Sequence, residues 1–189
     1  MRIGALALQG DFAEHLRALA RAGLEGVEVR RPEQLDSAAG LIIPGGESTT
    51  IGMLMERFGL IEKIRARAQE GMAIWGTCAG AILLAKEIVG SSQPRLGLMD
   101  ITAERNAYGR QIDSFETTVE VKGIEGGPVP AVFIRAPVIK AVGPACEVLA
   151  EHEGEPVLVR EGRLLAGAFH PELTEDLRLH RYFAALAKG

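Results

Sequence analysis

Cysteine is nearly absent from this chain: Cys78 and Cys146 are the only two. So sparse a pair does not make a disulfide framework, and it fits a reducing, cytoplasmic setting. The four histidines, His15, His152, His170 and His180, occur without C-x-x-C or H-E-x-x-H spacing, so no metal site is expected. There is no block of like charge, and a formal charge of −4 with pI near 5.6 argues against a nucleic-acid or anionic-membrane partner. The apolar opening over residues 2–8 is cut short by Gln9-Gly10-Asp11, too early for a signal h-region or a membrane span. Asn106 is the sole asparagine, and 16 arginines stand against 5 lysines. Depletion of thermolabile amides is a trait of heat-adapted proteins, although genome base composition explains the arginine bias equally well. No internal repeat or low-complexity tract interrupts the chain.

What is present is ordinary globular material, 47% hydrophobic and 24% charged, and the length of 189 residues predicts a single domain over 1–189. Strands are expected over 2–8, 27–30, 41–43 and 72–75, separated by helical runs. The first helical run places Phe12, Leu16, Leu19 and Ala20 on one face; later ones cover 50–58, 60–68 and 81–86. Such alternation, continuing to about residue 88, predicts a parallel sheet with helices on both faces. The second half is strand-rich and partly antiparallel, with Phe115, Thr117, Val119 and Val121 alternating against polar neighbours. Further strands are expected near 131–134, 138–142, 146–151, 156–160 and 164–169. A closing helix carries Leu179, Tyr182, Phe183 and Leu186 at helical spacing, with Thr174 as its candidate cap.

The chemistry gathers at strand ends. Gly76-Thr77-Cys78-Ala79-Gly80 is the cysteine form of a nucleophile elbow: strand, sharp turn, helix, with a thiol at the apex where the helix N-terminus favours a thiolate. Such a nucleophile needs a base, and the base needs an orienting group. His170-Pro171-Glu172, after the last strand, supplies both. The loop Pro44-Gly45-Gly46-Glu47-Ser48 follows the third strand, where open α/β sheets bind ligands, and Ser48 or Thr49 is placed to cap the next helix. Cys146 has no neighbouring base and reads as a small inert residue. His15, His152 and His180 are weaker candidates, with polar neighbours in sequence.

These residues resemble the class I glutamine amidotransferases, and more narrowly the glutaminase subunits of pyridoxal 5′-phosphate synthase. The class is carried by residues 76–80 and 169–172. The narrower likeness rests on Leu6-Ala7-Leu8-Gln9-Gly10-Asp11 with Glu14-His15, and on residues 44–50, 104–111 and 133–137. The resemblance implies a three-layer, flavodoxin-like class I amidotransferase fold with a mostly parallel central sheet. It implies hydrolysis of L-glutamine to glutamate and ammonia, the ammonia passing to a synthase subunit in a hetero-oligomer, with low activity until that subunit docks. Cys78, His170 and Glu172 would form the triad. Gly46, Glu47, Ser48, Arg105, Ile134 and Arg135 would bind glutamine, and the backbone N–H groups of Gly46 and Ala79 would form the oxyanion hole. No bound cofactor is implied for this chain. Two alternatives stand beside this reading: the glutaminase of another amidotransferase, such as that of histidine biosynthesis, and a non-catalytic flavodoxin-like binding module.

Overall fold

The computed structural model describes residues 1–105 and 114–189; the 106–111 part of the resembling window lies outside them. In chain order the first elements are β1 (Arg2–Leu6), α1 (Phe12–Arg21), β2 (Glu25–Val29) and β3 (Gly40–Ile43). Next come α2 (Ser48–Arg57), α3 (Leu60–Gln69), β4 (Ala73–Thr77), α4 (Ala79–Leu84), β5 (Ala85–Ile88) and β6 (Met99–Glu104). The rest are β7 (Phe115–Val119), β8 (Val129–Phe133), β9 (Val138–Val142), β10 (Glu147–His152), β11 (Glu155–Glu161), β12 (Leu164–Gly167) and α5 (Arg178–Lys188).

A seven-stranded sheet in the order β10-β11-β12-β4-β3-β1-β2 forms the centre. The five strands from β12 to β2 are parallel, while β10 and β11 add an antiparallel edge. Neighbours along β3 and β4 point to opposite sides: Ile43 and Ile74 join one core with α2, α3 and α4, whereas Ile42 and Trp75 join another with α1 and α5. Helices therefore cover both faces, and β3 and β4 are buried throughout, as a parallel sheet requires. Because β12, β4, β3 and β1 are adjacent and parallel, the loops leaving their carboxyl ends lie side by side. That placement is what topology contributes to the site.

Several expectations shift. The run over 81–86 is not one helix: α4 stops at Leu84, and Ala85 pairs with Met99 as β5 joins β6. Neither strand is legible in the sequence: β5 follows α4 without a break, and β6 is completed by β9 from a later segment. The buried face of α1 is His15, Ala18 and Leu19, with Ala20 exposed. Thr174 does not cap α5. Its hydroxyl donates to the Pro171 carbonyl (3.0 Å), and the helix opens after Leu177, where the Asp176 carboxylate accepts the Arg178 N–H (2.9 Å). Among the described residues no helix is long and apolar enough to cross a membrane.

Candidate active site

Cys78 sits between β4 and α4 at φ 49° and ψ −104°, a region costly for any residue with a Cβ. The flanking glycines make the turn possible by close approach. A Cβ on Gly76 would lie 2.3 Å from the Gly80 carbonyl, and one on Gly80 would lie 2.0 Å from the Ile43 oxygen. The elbow thus packs onto β3 with no room for side chains. The Cys78 backbone N–H donates to the Gly167 carbonyl (2.8 Å), tying the nucleophile to the end of β12, and its thiol faces the Ile134 carbonyl at 3.8 Å.

His170 follows β12, with its backbone N–H donating to Val132 (2.8 Å), and opens a 3-10 turn over Pro171–Leu173. At an extended strand end, residues two apart point to the same side, which would bring His170 and Glu172 together. The turn achieves it instead, with Nδ1 and Oε1 at 2.7 Å and both residues buried. Burial opposes a charge on His170, but the hydrogen bonds its ring donates to Cys78 and Glu172, with their Coulomb attraction, outweigh it and raise its pKa to about 10. Burial pushes the Glu172 carboxyl up, and His170 pulls it back. Asp11 Oδ2 is 3.6 Å from His170 Nδ1. Asp11, His170 and Glu172 have ligand-type atoms within 4.8 Å of one another. The short Nδ1 to Oε1 bond already commits both of its atoms, so the cluster is an acid–base pair with a neighbouring carboxylate.

A cavity of about 660 Å³ opens over Cys78 and His170. The expected binding residues Gly46, Glu47, Ser48, Arg105, Ile134 and Arg135 line it, as does Ala79; Glu172 lies behind His170 and does not. Gly46 adopts φ +154°, a glycine conformation, and Arg135 φ +43°. The cap of α2 is Glu47 rather than Ser48 or Thr49. Its carboxylate accepts from Thr50 N (2.7 Å), Thr49 N (3.2 Å) and the Thr50 hydroxyl (2.7 Å). The Thr50 hydroxyl above all, against partial burial, holds the Glu47 carboxyl below its usual range. Glu47 thus faces the cavity with a side chain engaged in capping and a backbone N–H bound to Gln9 Oε1 (2.8 Å).

Thr49, His15 and His180 take places in or behind the site that the sequence pattern does not assign to them. Thr49 accepts from Arg105 Nη1 (2.8 Å) and donates to Gln93 Oε1 (3.3 Å), fixing the arginine over the cavity. Behind Glu172, His15 and His180 are wholly buried beside Thr77. The signal for both was helical spacing: His15 follows Phe12 by three positions, and His180 precedes Phe183 and Ala184 by three and four, which places each on a core face. Cys146 is half-buried against Glu161 (3.3 Å); burial first, then that carboxylate, raise its pKa to about 11.

Three comparisons bear on this geometry. The model of the SNO glutamine amidotransferase family matches residues 5–187. Pyridoxal 5'-phosphate synthase subunit PdxT of Thermus thermophilus is 58% identical over 187 residues, 98% of this chain and 97% of that protein. The protein of the same name from Moorella thermoacetica is 56% identical over 183 residues, 97% of each. A crystal structure of a glutamine amidotransferase superposes with TM-score 0.95 at 57% identity, covering 99% of both chains.

Proposed function

The chain belongs to the SNO glutamine amidotransferase family, and on that premise we propose that it is the glutaminase subunit of a pyridoxal 5′-phosphate synthase, hydrolysing L-glutamine and delivering ammonia to a synthase subunit. The carrying observation is the position of Cys78: a strained elbow thiol lining the same cavity as His170, whose Nδ1 is bonded at 2.7 Å to the buried Glu172 behind it.

The Cys78 thiolate attacks the side-chain amide carbon, and the oxyanion is met by backbone N–H groups of Ala79 and Gly46. The His170 imidazolium protonates the departing nitrogen, so ammonia leaves and a γ-glutamyl thioester stays on the sulfur. His170, now neutral, takes a proton from water as the water attacks the thioester; the sulfur leaves as thiolate, the new carboxyl group gives its proton to solvent, and glutamate departs with the thiolate and imidazolium restored. Glu172 holds His170 in the tautomer with its proton on Nδ1 and stabilises the imidazolium. Arg105 and Arg135 suit the α-carboxylate of glutamine, because a guanidinium pairs with a carboxylate through two parallel N–H donors.

Free glutaminase would waste its substrate, so docking of the synthase gates the site, with Gly45-Gly46 reorienting to complete the oxyanion hole. Residues 1–189 act as one glutaminase domain in a hetero-oligomer, a reading supported by two cores that share one sheet. The sparse, unpaired cysteines support a cytoplasmic setting. The test is ammonia release from glutamine with and without the synthase. Wild type should turn over when the synthase is present, and Cys78→Ala should not while still folding. Turnover by Cys78→Ala, or none by wild type in the complex, would refute the assignment.

A further inference from the structure

The reaction uses one oxygen of Glu172 and leaves the other to be explained. Oε1 takes the His170 bond; Oε2 is fully buried, makes no hydrogen bond of ordinary length among the described residues, and lies 3.4 Å from His15 Nε2. A bare carboxylate oxygen away from water is costly enough to favour protonation, and a protonated Glu172 would no longer hold an imidazolium. The same His15 nitrogen is 3.0 Å from Thr77 Oγ1, and His15 Nδ1 is 3.1 Å from His180 Nε2.

One hydrogen is shared between the two imidazoles, and its position decides what Glu172 meets. Were it on His15 Nδ1, the lone pair of His15 Nε2 would face Oε2, and the hydrogen on His180 Nδ1 would be a buried donor without an acceptor. With it on His180 Nε2, His15 Nε2–H points between Thr77 Oγ1 and Glu172 Oε2, and His180 Nδ1 keeps only a bare lone pair. Buried orphan donors are rarer than under-used acceptors, and the second arrangement also removes the repulsion, so the tautomers are assigned that way.

We propose that His15 is a positioning residue of the triad: its Nε2–H holds the second carboxylate oxygen of Glu172, with His180 fixing its tautomer and Thr77 its direction. His15 does so as a neutral donor. Burial first, then the charges of His180 and His170, hold its pKa well below the usual value, and burial with Arg21 lowers that of His180 to about 4. The positive charge therefore stays on His170, and His15 steadies the anion without competing for it. The groups facing the Glu172 carboxylate are His170 and its own backbone N–H, Asp11 from the loop after β1, and His15 from α1; Cys78 stands beyond His170.

The inference rests on the triad reading, so wild type and Cys78→Ala are assayed alongside, all in the complex with the synthase. His15→Phe keeps a ring and loses the donor. It should lower kcat roughly ten- to hundredfold and move the acid limb of the pH–rate profile up by about one pH unit, as expected when a bond to an ionised group is lost. KM should stay within about twofold, since substrate contacts are untouched. His15→Gln, whose amide reaches the Nε2 position, should restore most of kcat and the acid limb, whereas His15→Asn, which reaches only Nδ1, should not. An unshifted acid limb in folded His15→Phe overturns the proposal, and so does equal behaviour of the Gln and Asn variants. The Gln and Asn pair decides if the Phe variant does not fold. A dead wild type or an active Cys78→Ala would instead sink the triad reading itself.

Discussion

The ring of His170 lies against the bare α-carbon of Gly45. A Cβ there would stand 2.3 Å from Cε1, 3.0 Å from Nδ1 and 3.2 Å from Nε2. One missing methyl group on the loop after β3 thus sets where the His170 imidazole can sit.

Gly45→Ala should therefore displace the imidazole, since the methyl meets the Cε1 edge of a rigid ring and not a flexible side-chain end. A shift of about 1 Å at a reacting group costs on the order of a hundredfold in rate. We expect kcat in the synthase complex to fall by about that factor with the protein still folded by circular dichroism. A wild-type kcat would show that the ring has room to yield.

Thr49 offers a different separation, because it touches Arg105 and not the triad. Thr49→Val removes the acceptor of the 2.8 Å bond and leaves the guanidinium free to wander. A hydrogen bond to a charged group contributes roughly 1.5–3 kcal/mol, so KM for glutamine should rise about tenfold or more. Initial rates against glutamine concentration check this; a fall in kcat at unchanged KM would assign Thr49 to chemistry.

The halves of the chain differed in how openly they declared themselves. The central sheet was readable because β3 and β4 are short apolar runs between helical periods and turn residues, so local pattern and global fold agree. The elbow and the His-Pro-Glu segment were readable because each is contiguous. β5 and β6 were not, since β6 is completed by β9 from a later segment and Leu84 to Ile88 also suits a helix. The three-dimensional part of the site was hidden for a related reason. His15, Thr77 and His180 are scattered over more than 160 positions and become one cluster only when α1 and α5 pack on the same side of β4. A polar residue on an apolar helix face was the available clue, and polar sequence neighbours masked it.

The two thiols should react very unequally. Cys146, raised to about 11 by burial and by Glu161, is almost entirely protonated at neutral pH. Cys78 lines the cavity beside His170, whose pKa is pushed up to about 10. Iodoacetamide at pH 7.5, read by intact mass and peptide mapping, should add one carbamidomethyl group at Cys78, and Cys78→Ala should stay unmodified. Equal labelling at both sites would remove the case for an activated Cys78.

Stability should also depend on pH in a way that separates the histidines. His180 is neutral when buried, with a folded pKa of about 4 against an unfolded value of about 6.5. Between those values the unfolded chain binds the extra proton, so stability is full above about pH 6.5 and is lost as pH falls, by up to 1.4 kcal/mol per unit for one such group. His170 works the other way. Its folded pKa of about 10 means that its contribution is full below about pH 6.5 and drains away as pH rises through 10. Glu172, raised by burial, takes up a proton in part of the acid window and offsets some of the loss there. The comparison of wild type with His180→Phe, and not the wild-type slope alone, therefore isolates the buried imidazole. Urea midpoints from pH 4.5 to 6.5 should climb more steeply in wild type, and His170→Asn should flatten the decline between pH 7 and 9.5. Parallel curves for wild type and His180→Phe would mean that His180 is not held neutral by the fold.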